Sequence, residues 1–105
     1  MKSIFLITTI HIGGPILQYG LLHISRKRRV GWFLNIVRAK IVVTFNEGDI
    51  YENGNYDHCV IEEVISGLYP HINTEYWYKW SHEEKKYILT FKPKGLERIV
   101  NFGIG

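Results

Sequence analysis

The chain has 105 residues, the length of one domain, and is too short for two hydrophobic cores. Hydrophobic residues make up 46% and charged residues 22%, which fits a globular protein and excludes an intrinsically disordered one. From the length we expect a single domain over residues 1–105. The net charge of +3 is a mild excess of positive charge, which favours an anionic partner.

The N-terminal third predicts two strands. Segment 4–12 is rich in β-branched residues and predicts a strand buried on both faces. Gly13, Gly14 and Pro15 predict a turn, after which 16–22 would extend the hairpin and 29–33 would form the second strand. Residues 3–24 contain no Asp, Glu, Lys or Arg and resemble a membrane span. Their polar side chains and the Gly-Gly-Pro break favour a domain that does not enter the membrane.

Segment 34–45 fits either a strand or a helix. Its alternation of apolar with polar residues and its β-branched content favour a strand. Asn35, however, is a suitable helix N-cap, and Ile36, Ala39 and Val43 would share one helical face. The residues by themselves favour the strand.

The C-terminal half predicts three further strands. Segment 58–65 has the composition of a strand, and 75–79 and 86–91 predict a hairpin around the polar loop 81–85. Pro93 then begins a predicted helical turn over 94–100.

From residue 29 onward the chain carries short motifs whose order is more specific than any one of them: Val30-Gly-Trp-Phe33, Asp49-Ile-Tyr-Glu52, Val60-Ile-Glu-Glu-Val64, Gly67-Leu-Tyr-Pro70, Trp77-Tyr-Lys-Trp80, Lys92-Pro93 and Asn101-Phe-Gly-Ile-Gly105. In this order they resemble a family of short uncharacterised domains found in Gram-positive bacteria, their phages and mobile elements. The family has no established activity, so the resemblance implies no catalytic residue. It does imply a helix after the Gly-Trp-Phe strand, around Ala39 and Val43, although β-branched residues here replace helix-favouring ones.

Tertiary packing can override helix propensities of a few tenths of a kcal/mol per residue, so we adopt the helix. The predicted fold is therefore α+β. It is a mostly antiparallel sheet of four or five strands, with one helix packed across it and a short C-terminal helical turn.

Two sequence features suggest catalysis at first sight, and we expect neither to be catalytic. His58 and Cys59 are adjacent, but neighbouring residues of a strand point to opposite faces, which predicts a buried thiol beside a surface histidine. The single cysteine excludes an internal disulfide and favours a reducing, cytoplasmic location. The five histidines lack the spacing of common zinc motifs, so we predict no metal and no cofactor.

Glu62 is the unusual acidic residue of the sequence, because it shares a strand face with Val60 and Val64. Such a residue is usually at a sheet edge or paired with Arg or Lys, and otherwise it is a functional carboxylate. We expect the structural explanation. Trp32 and Val60 are both expected in the core, since each belongs to a short apolar strand.

The best functional signal combines cations with aromatic rings. The basic run of four residues is expected to be an exposed loop, and an aromatic cluster occurs later in the chain. Guanidinium groups bind phosphate, and aromatic faces stack on bases. The predicted ligand-binding residues are Arg26, Lys27, Arg28, Arg29, Trp77, Tyr78, Lys79 and Trp80.

We therefore expect a non-enzymatic, cytoplasmic binding protein, and we expect it to be a phage or mobile-element accessory protein with a counter-defence role. Its ligand would be an anion such as a cyclic nucleotide or nucleic acid. An inhibitor or immunity-type protein that blocks a host or bacterial protein is the alternative, and a small metal-free nuclease the second alternative. A homo-oligomer is possible in each case.

Overall fold

A five-stranded antiparallel sheet, one α-helix and one short 3₁₀ turn make up the described fold. The computed structural model describes residues 3–16, 21–65 and 71–93. The elements are β1 (Ser3–Ile16), β2 (Leu21–Phe33), α1 (Ile36–Thr44), the 3₁₀ turn (Glu52–Gly54), β3 (His58–Ile65), β4 (His71–Ser81) and β5 (Lys86–Thr90).

The strand order β2-β1-β3-β4-β5 places β2 and β5 at the two edges of the sheet and β3 at its centre. Every neighbouring pair is antiparallel. The predicted α+β architecture with a mostly antiparallel sheet and one helix is thus confirmed. The bounds of β3 agree with prediction, and the β4–β5 hairpin is confirmed with an earlier start of β4. The helical turn predicted at 94–100 lies outside the described residues.

The turn predicted at Gly13, Gly14 and Pro15 is wrong, because all three residues belong to β1. The β1–β2 register shifts between Ile12 and Pro15, which is the irregularity that Gly and Pro allow inside a sheet. As a result β2 is longer than predicted. It includes the basic run, which is therefore part of a strand and not of a loop.

The helix in segment 34–45 is confirmed, and the strand alternative is wrong. The side chain of Asn35 caps the helix, since its Oδ1 accepts hydrogen bonds from the backbone amides of Val37 at 2.7 Å and Arg38 at 3.2 Å. Such a cap stabilises a helix by about 1 kcal/mol. Burial of one helix face supplies the rest of the preference, through Ala39, Val42 and Val43.

Two hydrophobic clusters receive alternate residues of the central strands. On β1, Ile7 belongs to the first cluster, whereas Leu6 and Ile10 belong to the second, which confirms that β1 is buried on both faces. The first cluster combines the buried residues of α1 with Ile7, Ile50, Cys59, Ile61, Tyr78 and Tyr87. The second contains Leu6, Ile10, Val60, Val64 and Trp77. Among the described residues, no helix is long and apolar enough to cross a membrane.

Candidate functional site

The basic run lies along β2, at one edge of the sheet, and all four of its side chains are exposed. The predicted exposure of these cations is therefore confirmed. Alternation in the strand divides them between the two faces. Arg28 pairs with Thr9 of β1, whereas Arg29 pairs with Thr8, so successive cations point to opposite sides of the sheet.

Two of these cations are held by the segment around the 3₁₀ turn. Arg28 Nη1 lies 2.5 Å from Glu52 Oε2, and its guanidinium stands 5.6 Å from the centre of the Tyr56 ring. Arg26 Nη2 donates to the backbone carbonyl of Asn55 at 3.4 Å. This side of β2 therefore presents guanidinium groups whose positions are already partly fixed.

The aromatic cluster lies on β4, and the structure does not bring it together with the basic run. Strands β1 and β3 lie between β2 and β4, a separation of roughly 14 Å at about 4.8 Å per strand. Trp77 and Tyr78 are buried in different clusters. Trp80 stacks on Tyr51 with ring centroids 3.8 Å apart, and Lys79 is exposed. The described residues thus form no single basic and aromatic pocket.

Trp32, predicted to be a core residue, has 57% of its surface exposed, so that prediction is wrong. The reason is its place on an edge strand, because in the described part of the chain no strand lies beyond β2. Val60, on the central strand, is fully buried as expected. Trp32 pairs with Leu6 and Arg29 with Thr8, two positions apart on β1, so both side chains lie on the same face of the sheet. An exposed ring consequently accompanies the cations on β2 itself.

Glu62 is a buried carboxylate on the central strand, and the expectation that it lies at a sheet edge is wrong. It is fully buried, and neither oxygen has a hydrogen-bond partner among the described residues. The hydroxyl of Thr8, on the same face of neighbouring β1, is likewise buried and makes no hydrogen bond within 3–16, 21–65 and 71–93. Two buried polar groups with no partner are unusual in a core, where most such groups are satisfied.

Burial raises the pKa of Glu62 from the ordinary 4.5 to about 8, and the carboxylate of Glu75 directly opposite on β4 raises it further. Arg29, Lys92 and Lys27 act in the other direction. The carboxyl group is therefore mainly protonated at neutral pH, a state that can donate a hydrogen bond. The position of Glu62 between two apolar residues of one strand face was a signal in the sequence that this carboxyl group is unusual. That the side chain is fully buried follows only from the strand order, which places β3 at the centre of the sheet.

His58 and Cys59 do not form a nucleophile and base. Cys59 belongs to the first cluster, whereas its neighbour Val60 belongs to the second, so His58 and Cys59 face opposite sides as expected. Burial raises the pKa of the Cys59 thiol well above its ordinary value, which disfavours the thiolate. His58 itself is buried and not at the surface as predicted. Its Nδ1 lies 3.1 Å from Asp57 Oδ1.

Sequence reasoning missed an exposed apolar stripe along the outer side of α1 and at its two ends. Its side chains are 69%, 60%, 39% and 66% exposed, in the order Leu34, Val37, Ile41 and Phe45. Val37 and Ile41 are four residues apart and lie on one side of α1, Phe45 is its C-cap, and Leu34 precedes its N-cap Asn35. A helical projection of segment 34–45 shows this stripe. The residues by themselves favoured a strand for this segment, so the stripe was not predicted.

In the described part of the chain no three His, Cys, Asp or Glu side chains are grouped so that they could hold a metal ion. No family model, curated protein or solved structure matches the chain. The resemblance to the family of short domains stays a prediction.

Proposed function

We propose that the protein is a non-enzymatic binding protein that holds an anionic ligand, a cyclic nucleotide or a nucleic-acid strand, through β2. The observation that carries the proposal is a run of four exposed cations along one edge strand. Cations on the same face are about 7 Å apart, because a strand rises about 3.4 Å per residue. The cytoplasm is its expected location, and we infer as well that α1 packs across the sheet.

Exposed Trp32 gives the proposed site a stacking surface. It shares a face with Arg29, and stacking of a base on an aromatic ring is worth about 1–3 kcal/mol. In this version of the site, Trp32 takes the part that the sequence assigned to Trp77 and Tyr78, whose rings are buried. Lys79 and Trp80 would contribute only to a ligand long enough to cross the sheet.

Fluorescence anisotropy with a labelled single-stranded oligonucleotide and a labelled cyclic dinucleotide tests the proposal. Each phosphate contact to a single strand contributes about −0.7 to the salt slope, so the two cations on one face of β2 predict a roughly 7-fold loss of affinity between about 50 and about 200 mM salt, and contacts to all four cations around the edge predict a roughly 50-fold loss. Replacing all four cations of the basic run by Ser should abolish binding. Replacing Lys85 and Lys86, two cations of the β4–β5 hairpin, should leave it unchanged.

Trp32→Ala separates a nucleotide ligand from a simple polyanion. It should weaken binding of the oligonucleotide but not of inorganic polyphosphate, which has no base to stack. If neither labelled ligand binds at low salt, or if the Ser variant binds as well as the wild type, the proposal is wrong. Gel analysis of the same oligonucleotide after incubation tests the metal-free nuclease alternative.

The apolar stripe on α1 favours one second candidate, an inhibitor or immunity-type protein that blocks a partner protein. Exposed apolar side chains grouped on one helix are a common feature of protein docking surfaces. If the protein has this function, its affinity for the partner should not fall at high salt, and the variant with Ser in place of the four cations should bind the partner as the wild type does. It should be lost in Val37→Lys, which changes a residue 60% exposed.

A further inference from the structure

A cleft opens between β2, α1 and the loop that follows α1. Its volume is about 270 Å³, and five of the residues that line it are apolar: Ile7, Val30, Phe33, Val42 and Ile50. Ile7, Val42 and Ile50 are buried members of the first cluster, so this part of the wall is fixed by the core. Sites for whole small molecules usually have about 300–1,000 Å³. The cleft therefore has the size for one ring system of a ligand, and not for a whole nucleotide.

Gly31 leaves the floor of this cleft open. It lies opposite Ile7 in the β1–β2 ladder, so a side chain at position 31 would point to the same side of the sheet as Ile7. A Cβ atom on Gly31 would meet no other heavy atom of the described residues within 4 Å, and the φ angle of Gly31 is not positive. Neither the backbone nor a close contact in the described part of the chain thus requires glycine here. Glycine inside a strand is often a place where a ligand approaches the backbone.

The β2 side of the cleft carries an excess of positive charge. Arg28 lines the cleft, and Arg26 lies two residues away on the same face of β2. Glu52 contacts Arg28 and offsets one of these two charges. Glu47, the acidic residue of the lining, is neutralised by Arg38, whose two Nη atoms donate to its oxygens at 3.0 and 2.9 Å. An anionic group attached to a ring in the cleft would therefore meet a net positive charge beside it.

We propose that this cleft is a base subsite, which takes one unpaired base of the ligand while the phosphate next to that base contacts Arg28 and Arg26. The subsite rests on the proposed function and narrows the ligand to nucleotides and single-stranded nucleic acid. A base inside a duplex is paired and stacked, so it does not reach a cleft of this kind unless it is first unstacked, which costs energy.

Gly31→Ile fills the cleft, and Gly31→Ala is its matched control. A β-branched residue suits a strand better than glycine does, so Gly31→Ile should unfold at or above the wild-type temperature. Fluorescence anisotropy then compares a labelled single-stranded oligonucleotide with one of the same length in which every residue is abasic. Gly31→Ile should bind the normal oligonucleotide about tenfold more weakly than the wild type does, and the abasic one equally well. Gly31→Ala, which leaves most of the cleft open, should bind both nearly as the wild type does.

Uncharged nucleosides locate the subsite without the phosphate contacts. Adenosine or cytidine should shift the backbone amide NMR signals of Val42, Gly48 and Ile50, which line the cleft, in the wild type but not in Gly31→Ile.

The outcomes separate the base subsite from the proposed function. If Gly31→Ile binds the normal oligonucleotide as the wild type does, or if no nucleoside shifts the cleft amides, the subsite is wrong and the proposed function stands. The same holds if Gly31→Ile weakens the normal and abasic oligonucleotides equally, because the cleft would then act on the phosphates and not on the base. If neither oligonucleotide binds the wild type at low salt, both the subsite and the proposed function are wrong.

Discussion

Glu62→Gln tests whether a protonated carboxyl group is part of the native core. The folded pKa of about 8 lies above the ordinary 4.5, so between these pH values the folded state binds more protons than the unfolded state. Stability from this group is present below about pH 4.5 and is lost as the pH rises towards 8. Each pH unit in this window costs about 1.4 kcal/mol, so the wild type should lose roughly 3 kcal/mol by pH 7 and at most about 5 kcal/mol above pH 8. Domains of this size have about 5–15 kcal/mol of stability, so the loss is large.

The glutamine variant keeps the shape of the protonated acid but does not titrate. Urea unfolding followed by tryptophan fluorescence, at about pH 5, 6, 7 and 8, gives the difference between the two proteins at each pH and cancels the other titrating groups. Near pH 5 the two should be nearly equal, and at about pH 8 the variant should be more stable by roughly 3–5 kcal/mol.

Glu63→Gln is the matched control for that experiment. Glu63 is adjacent, and the hydrogen bond from Asn73 lowers its pKa, so its contribution is present above its unfolded pKa and is lost as the pH falls. This variant should gain nothing at alkaline pH. A stability difference between Glu62→Gln and the wild type that does not grow from pH 5 to 8, or a Glu62→Gln protein less stable than the wild type at pH 8, would refute the reasoning.

Further substitutions test the assignment of buried and exposed groups, each by urea unfolding. Trp32→Ala should lower the free energy of unfolding by only about 1 kcal/mol because its ring is exposed, whereas Trp77→Ala should lower it by roughly 3–5 kcal/mol because its ring is buried. Equal losses would contradict this difference in burial. Asn35→Ala should lower the free energy of unfolding by about 1 kcal/mol and reduce the helical signal in circular dichroism. If neither changes, the cap is not formed in solution. Tyr87→Phe should cost about 1–3 kcal/mol, because the Tyr87 hydroxyl donates to the buried carbonyl of Tyr56 at 2.7 Å; a neutral substitution would mean that water reaches that carbonyl.

Local patterns predicted the elements whose ends are marked in the sequence. The bounds of β3 could be predicted because turn-forming residues flank a β-branched segment. The β4–β5 hairpin was predicted from its polar loop for the same reason. The length of β2 could not be predicted in this way, because pairing with β1 extends the strand through the basic run and past a register shift.

The order of the strands in the sheet determines which of these side chains are buried, and local sequence patterns do not contain that order. Trp32 and Val60 occur in similar apolar contexts, yet one lies on an edge strand and is exposed while the other lies on the central strand and is buried. The same order puts Glu62 in the middle of the sheet and not at its rim. Strand order depends on contacts distant in sequence, which periodicity does not contain. The separation of the basic run from the aromatic cluster follows from the same fact.

The composition of α1 is explained by the two different sides of the helix. The inner residues Ala39 and Val43 join the first cluster and help to fix the helix in the fold. The outer residues Val37 and Ile41 are β-branched, are exposed, and slightly disfavour a helix, so neither burial nor propensity accounts for them. Together the two sides produced the strand-like alternation of segment 34–45. Substituting the outer residues should therefore change the free energy of unfolding little, whereas substituting the inner ones should unfold the domain.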